Sequence, residues 1–154
     1  DAVHQLRKEC DAILVGVETI IRDDPSLNIR RVPSERQPLR IVIDPNSRIP
    51  QDSKVLTDGG ETIVLSEDFT NLSALLNRLG DMEIQRVLVE GGPVTIKHFL
   101  NVKLVDEFYL VKSEVVHKKP HPSGISTQVL DDAGLQHNSN LRWGSDVVQL
   151  FNRL

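Results

Sequence analysis

Glu90 is the residue best placed to do chemistry in this sequence. It lies in the run Arg86-Val87-Leu88-Val89-Glu90-Gly91-Gly92-Pro93-Val94-Thr95, which reads as strand, glycine turn and helix. Val87 to Val89 suit a short strand buried on both faces. Gly91 and Gly92 tolerate positive φ and let another backbone or a ligand come close. Pro93 fits the first position of a helix, and apolar residues at 94, 96, 99 and 100 give that helix a face. Such a turn aims backbone N–H groups and the positive end of a helix dipole at one point, which is an anion site. It also puts a carboxylate at the strand's C-terminal tip, where open α/β sheets bind their ligands. The structural alternative is an ordinary turn whose glycines only relieve crowding.

A second candidate site begins at Gly16-Val17-Glu18-Thr19 and continues through Asp23-Asp24-Pro25-Ser26-Leu27-Asn28-Ile29-Arg30. Again a strand ends in glycine and hands over a hydroxyl at a helix start. Thr19 can hydrogen-bond a phosphate or ribose oxygen. Arg30, with Arg7 on the preceding helix, suits phosphate because a guanidinium offers a bidentate fork. The alternative here is that Asp23 and Asp24 only turn the chain and the arginines are solvated. Two glycine-terminated strands, each followed by a helix start, favour a phosphate-bearing ligand.

The elements that must position these groups follow from apolar periodicity. A helix is expected over 1–9 with Asp1 as its cap, then a buried strand over Ala12 to Gly16. Glu18 to Arg22 makes a helical turn, stopped at Asp23-Asp24-Pro25 because a residue before proline leaves the helical region. Further strands are expected over Leu39–Asp44, Thr62–Leu65 and Leu104–Val111, with a helix over Asn71–Leu79 carrying leucines at 72, 75, 76 and 79. Lys112 to Thr127 reads as irregular, and Asp146 to Phe151 as an antiparallel edge strand. This alternation predicts an α/β sandwich, mostly parallel, with antiparallel late strands.

Bulk properties bound the function classes. The 154 residues suit one domain able to bury roughly two-thirds of its unfolded surface. Net charge is −4, without the basic excess of a nucleic-acid binder. No run reaches membrane-spanning length and no signal-peptide pattern opens the chain. A single cysteine, Cys10, leaves no internal disulfide and points to a reducing, cytoplasmic compartment. His117, Lys118, Lys119 and His121 cluster without a further ligand at metal-site spacing, so no metal is expected. Nucleophile-elbow, Walker and zinc-deaminase patterns are absent from the sequence. The start at Asp1 without Met, directly in a helical pattern, is that expected of a fragment.

Taken together, the residues resemble a known family. Leu6-Arg7, Asp11 to Gly16, Thr19, Asp23-Asp24-Pro25, Leu27 and Arg30 are similar to the reductase domain of riboflavin biosynthesis. Arg40 to Asp44, Arg48, Val89-Glu90-Gly91-Gly92-Pro93 and Leu104 to Glu107 continue the likeness, in order, over residues 3 to about 112. The resemblance implies a dihydrofolate-reductase-like three-layer fold in a single domain over 1–154. It implies NADPH-dependent reduction of a ribosylamino-pyrimidine 5′-phosphate to its ribitylamino counterpart, and a homodimer. The substrate the resemblance implies is a phosphorylated ribosylamino-pyrimidine, and neither nucleic acid nor membrane is an expected partner.

Roles carry over position by position. Thr19, Asp23 and the backbone of Pro45 would contact the cofactor, with Gly91, Gly92, Pro93, Val94, Thr95 and Ile96 around its pyrophosphate. Arg7 and Arg30 would grip the substrate phosphate, with Leu27 lining the same pocket. Glu90 would face the ribose and orient it or relay a proton. Arg48 and Lys54 are candidate partners for a 2′-phosphate. Three departures from the family pattern stand out, one being that the deamination step is expected to occur elsewhere. An N-terminal strand that usually precedes this stretch is missing from the sequence, and Glu18 stands where glycine is frequent. A catalytically silent domain that kept the fold and the phosphate grip is the competing expectation.

Overall fold

The computed structural model describes residues 2–66, 71–112 and 123–154. The expected Asp1 cap, the His117–His121 cluster and most of the irregular stretch after Lys112 fall outside those residues. The described chain forms two units, residues 1–96 and residues 97–154.

The first unit opens with helix α1 (Ala2–Lys8), whose buried side chains are His4 and Arg7 rather than an apolar stripe. Strand β1 (Ala12–Gly16) follows, and Ala12 to Val15 are completely buried, as a continuous apolar run in a central parallel strand demands. Helix α2 (Val17–Asp23) ends where Asp24 turns into the left-handed region at φ 40°. Next come β2 (Leu39–Ile43), the short helix α3 (Lys54–Thr57), β3 (Thr62–Leu65), α4 (Leu72–Asp81), β4 (Val87–Val89) and the first turn of α5 (Pro93–Asn101), a helix that runs on past residue 96. The four strands form a parallel sheet in the order β3-β2-β1-β4. Strand β1 therefore lies next to β4, and the two glycine-terminated strands are neighbours.

Period-two alternation splits the sheet's side chains between its faces. Ile13, Val15 and Val42 pack with Val17 and Ile20 of α2, with Leu27 and Ile49, and with Val55 of α3. On the opposite face Ile41, Ile63 and Leu65 line a small gap shared with Leu75, Leu79 and Met82. Asn71 caps α4 by accepting from the Ala74 amide at 3.1 Å. Arg40 interrupts the apolar pattern of β2 with a fully used guanidinium. It meets both carboxylate oxygens of Asp58 at 2.8 Å and donates to Thr62 Oγ1, Ser26 O and Val55 O.

The second unit holds an antiparallel sheet of β5 (Glu107–Lys112), β6 (Leu135–Trp143) and β7 (Asp146–Arg153), with helix α6 (Thr127–Asp132) before β6. Its order is β5-β7-β6. The tail strand is thus central rather than an edge, because β5 and β6 both pair with it. Strand β6, α3 and α6 had no counterpart among the expected elements. The hairpin turns at Gly144-Ser145 with Gly144 at φ 65°, where a two-residue loop needs a left-handed residue. Among the described residues, no helix is long and apolar enough to cross a membrane.

Candidate functional site

The site lies at the C-terminal edge of the parallel sheet. Glu90 follows β4 directly, and its amide donates to Leu14 O of β1 at 3.0 Å, so the ladder fixes its backbone. Its carboxylate is met by Arg7 in a two-pronged pair, Nε to Oε1 and Nη2 to Oε2, both 2.7 Å. The Arg7 side chain is 10% exposed and that of Glu90 22%. Charge-assisted bidentate pairs in such surroundings are among the stronger polar contacts and fix both side chains in one geometry. A carboxylate has about four lone-pair positions, so Glu90 keeps acceptor capacity toward a sugar hydroxyl.

Arg7 reaches further, donating from Nη1 to the carbonyl of Asn28 at 2.9 Å. Asn28 in turn accepts from Arg30 Nη1 on its side-chain oxygen at 3.0 Å. Arg7, Asn28, Arg30 and Glu90 are thereby one connected set, assembled from α1, the loop after α2 and the tip of β4. Arg30 projects as an exposed guanidinium, whereas Arg7 is turned to Glu90 and Asn28. Leu27 bends the loop with a positive φ of 50°. That bend sends its side chain into the core, 2% exposed, rather than into an open pocket.

Beside this cluster stands the glycine turn. Helix α5 forms its first bond from the Ile96 amide to Gly92 O, so the Val94 and Thr95 amides precede the ladder. Neither Gly91 nor Gly92 has a positive φ; what the glycines supply is room. A Cβ on Gly91 would lie 2.7 Å from Thr95 Cβ, and one on Gly16 would lie 2.8 Å from Thr95 Oγ1. Thr95 therefore fills the gap between two strand tips, which is possible only because both carry glycine. Beside Gly92 the space is open, and Val94 is 83% exposed. Pro93 is exposed too, while Ile96 is half-buried.

Of the remaining expected residues, Thr19 and Pro45 follow closely on the C-terminal ends of β1 and β2. Thr19 sits half-buried in the first turn of α2, and Asp23 ends that helix with its carboxylate on Arg22 at 3.1 Å. Pro45 is exposed in the turn after β2, anchored by Asp44, whose side chain accepts from the Ile49 amide at 2.8 Å. Arg48 pairs with Glu18 at 2.6 Å and Lys54 with Asp24 at 3.6 Å, so both candidate 2′-phosphate partners already face carboxylates.

Three contributors escaped sequence reasoning: His4, Asn28 and Gln37. Burial, aided by the guanidiniums of Arg7, Arg30 and Arg31, holds the His4 imidazole below its ordinary value. Asp11, at the opposite edge of the sheet, is held below the usual carboxylate value mainly by its bond to Arg36. It also accepts the Gln85 and Arg86 amides that lead into β4.

Parallel strands whose glycine-ended tips meet under a helix start, next to a carboxylate–guanidinium cluster, define an α/β protein with a polar cluster at the C-terminal edge of its parallel sheet. Comparison with known proteins is more specific. Residues 1–115 match the RibD C-terminal domain family, and the chain belongs to that family. It is 33% identical to the riboflavin biosynthesis protein RibD of Aquifex aeolicus, covering 97% of this chain and 48% of the relative. It is 36% identical to the 2,5-diamino-6-ribosylamino-4(3H)-pyrimidinone 5′-phosphate reductase of Methanothermobacter thermautotrophicus, over 68% of this chain and 60% of the relative. The chain thus spans about half to three-fifths of these relatives' length. A Thermotoga maritima diaminohydroxyphosphoribosylaminopyrimidine deaminase/5-amino-6-(5-phosphoribosylamino)uracil reductase shares the fold. Its TM-score is 0.82 at 22% identity, over 99% of this chain and 48% of that one.

Proposed function

We propose that this chain reduces the ribosyl group of a 5-amino-6-(5-phosphoribosylamino)pyrimidine to ribityl with NADPH, a step of riboflavin biosynthesis. The observation that carries this reading is the Arg7–Glu90–Asn28–Arg30 cluster beside the Gly91-Gly92 turn. A phosphate grip, a sugar acceptor and a second anion cradle lie at one sheet edge, as a phosphosugar and a dinucleotide require. The names of the relatives point the same way.

The cradle fits the cofactor: the α5 N-terminus carries amides ahead of its ladder, and the space beside Gly92 is open. Gly91 to Ile96 would hold the pyrophosphate, with Thr19, Asp23 and the Pro45 backbone along the rest. Bound NADPH would supply the hydride. In the substrate the C1′–O4′ bond opens, O4′ takes a proton and C1′ becomes doubly bonded to nitrogen. Hydride added at C1′ then leaves an open ribityl chain on an amine nitrogen. The protein's share is chiefly positioning, which can account for several orders of magnitude in rate.

Arg30 holds the 5′-phosphate through its exposed guanidinium. Glu90, oriented by Arg7, accepts from the ribose hydroxyls and relays to O4′ the proton given up by the amine nitrogen as the imine forms, and the nitrogen takes a proton from solvent as hydride reaches C1′. Arg7 serves the site through Glu90, and Leu27 through the bend it gives the loop. The same reading includes a homodimer and a cytoplasmic location. Loss of NADPH absorbance dependent on the phosphoribosylamino-pyrimidine, weakened in Arg30→Ala and Glu90→Gln, tests the function. Absence of turnover with NADPH still bound would favour a catalytically silent domain.

A further inference from the structure

The backbone of Asn28 to Arg30 belongs to no strand, yet each of these residues is pinned by a side chain from elsewhere. Arg7 takes the Asn28 carbonyl at 2.9 Å. Gln37 brackets Ile29 as a strand partner would, its Oε1 accepting the Ile29 amide at 2.7 Å and its Nε2 donating to the Ile29 carbonyl at 2.9 Å. His4 Nδ1 accepts the Arg30 amide at 3.2 Å. Ile29 itself is buried, so the segment is anchored by its apolar side chain and by both of its neighbours.

Buried backbone groups must find partners. The three side chains here do more than meet that need, because they fix the position from which the Arg30 side chain departs. His4 can accept only on Nδ1 with its proton on Nε2, so the imidazole must be neutral. Burial and the neighbouring charges of Arg7, Arg30 and Arg31 favour that neutral form.

We propose that His4 and Gln37 are positioning residues for Arg30, holding its guanidinium where a substrate phosphate is read. Neither touches the substrate; each acts through the backbone of Ile29 or Arg30. The inference rests on the reading of Arg30 as the phosphate ligand. A loop that is merely stable would be satisfied by any partner. A loop that aims a charge makes recognition of the phosphate depend on where its backbone sits.

The test compares kcat/KM for the 5′-phosphorylated substrate and its dephosphorylated form in four proteins: wild type, Arg30→Ala, His4→Leu and Gln37→Met. His4→Asn, which returns an acceptor near the Nδ1 position, is the rescue. His4→Leu should lower the preference for the phosphorylated substrate by about fivefold, the worth of roughly one hydrogen bond, and Gln37→Met, which removes two, by at least as much. The change should appear in KM rather than in kcat, and His4→Asn should recover most of it. Equal losses for both substrates, or no loss while Arg30→Ala abolishes the preference, would overturn the positioning role alone. A preference untouched by Arg30→Ala would overturn the phosphate assignment, and this inference with it.

Discussion

An alanine at position 91 would put its Cβ 2.7 Å from Thr95 Cβ, 3.0 Å from Cγ2 and 3.3 Å from Oγ1. Carbon atoms are at ease near 3.5–4.0 Å, so the overlap is close to about 1 Å. Thr95 Cβ is fixed to a helical backbone and no rotation moves it away, so α5 or the β4 tip must shift. Overpacking of this kind costs about 1–3 kcal/mol, and the upper half of that range is expected. An alanine at Gly16 meets only Thr95 Oγ1, at 2.8 Å, and the backbone there, φ −81° and ψ 154°, suits any residue. Rotating one hydroxyl off its rotamer costs about 0.5–1.5 kcal/mol. A double-mutant cycle with Thr95→Ala separates the two cases, since that change deletes Oγ1 and keeps Cβ. Urea unfolding should show Gly16→Ala rescued in the Thr95→Ala background and Gly91→Ala still destabilised by most of its original loss. Equal rescue of both, or tolerance of Gly91→Ala in the wild-type background, would refute the close packing inferred here.

Asp58→Ala would leave the Arg40 guanidinium, whose side chain is 3% exposed, without its bidentate partner. Breaking such a pair costs about 3–5 kcal/mol, read as a lower urea midpoint. Asp58 and Asp11 are both held below the ordinary carboxylate value of 3.8 by their arginines. The unfolded chain therefore binds protons more readily at these sites. The stability they contribute is present above that value and is lost as pH falls through the lower folded values; Asp11→Asn should flatten this acid limb in pH-dependent denaturation. His4 is also depressed, below 6.5, so its contribution is complete above 6.5 and falls as pH drops below it; His4→Leu should remove that slope. Glu18→Gln frees Arg48 from an exposed pair worth about 0–1 kcal/mol and keeps a good helix former in α2, so stability should hardly move. NADPH should then bind more tightly relative to NADH, as titration of each would show.

The parallel sheet was legible because its strands are continuous apolar runs: Ala12 to Val15 are buried on both faces and need no alternation. Helix α4 was legible from leucines at helical spacing. Strand β6 was not, since Gln136, His137, Asn138, Asn140 and Arg142 are solvent-facing and only Leu135 is buried. A shift of register between His137 and Ser139 breaks what alternation there is. The same strand, by covering one side of β7, makes the tail central instead of an edge. At the site, Glu90, the glycines and the arginines stood out by residue type. Their pairing did not: Arg7 and Glu90 are 83 residues apart, and either could equally have faced solvent or a phosphate. Gln37 and His4 act through hydrogen bonds to backbone groups, for which polar side chains carry no spacing signal. Gly91 was read as allowing positive φ or close approach, and Thr95 shows that close approach is the operative reason.

The most direct test of the central claim is a single progress curve. Purified protein is mixed with NADPH and the phosphoribosylamino-pyrimidine, and nicotinamide absorbance is followed in wild type and in Glu90→Gln. The account predicts substrate-dependent NADPH consumption, with the ribityl product appearing in equal amount, and a rate lower by about tenfold or more once the oriented carboxylate becomes an amide. NADPH consumption equal with and without substrate, or an unaltered rate in Glu90→Gln, would contradict it.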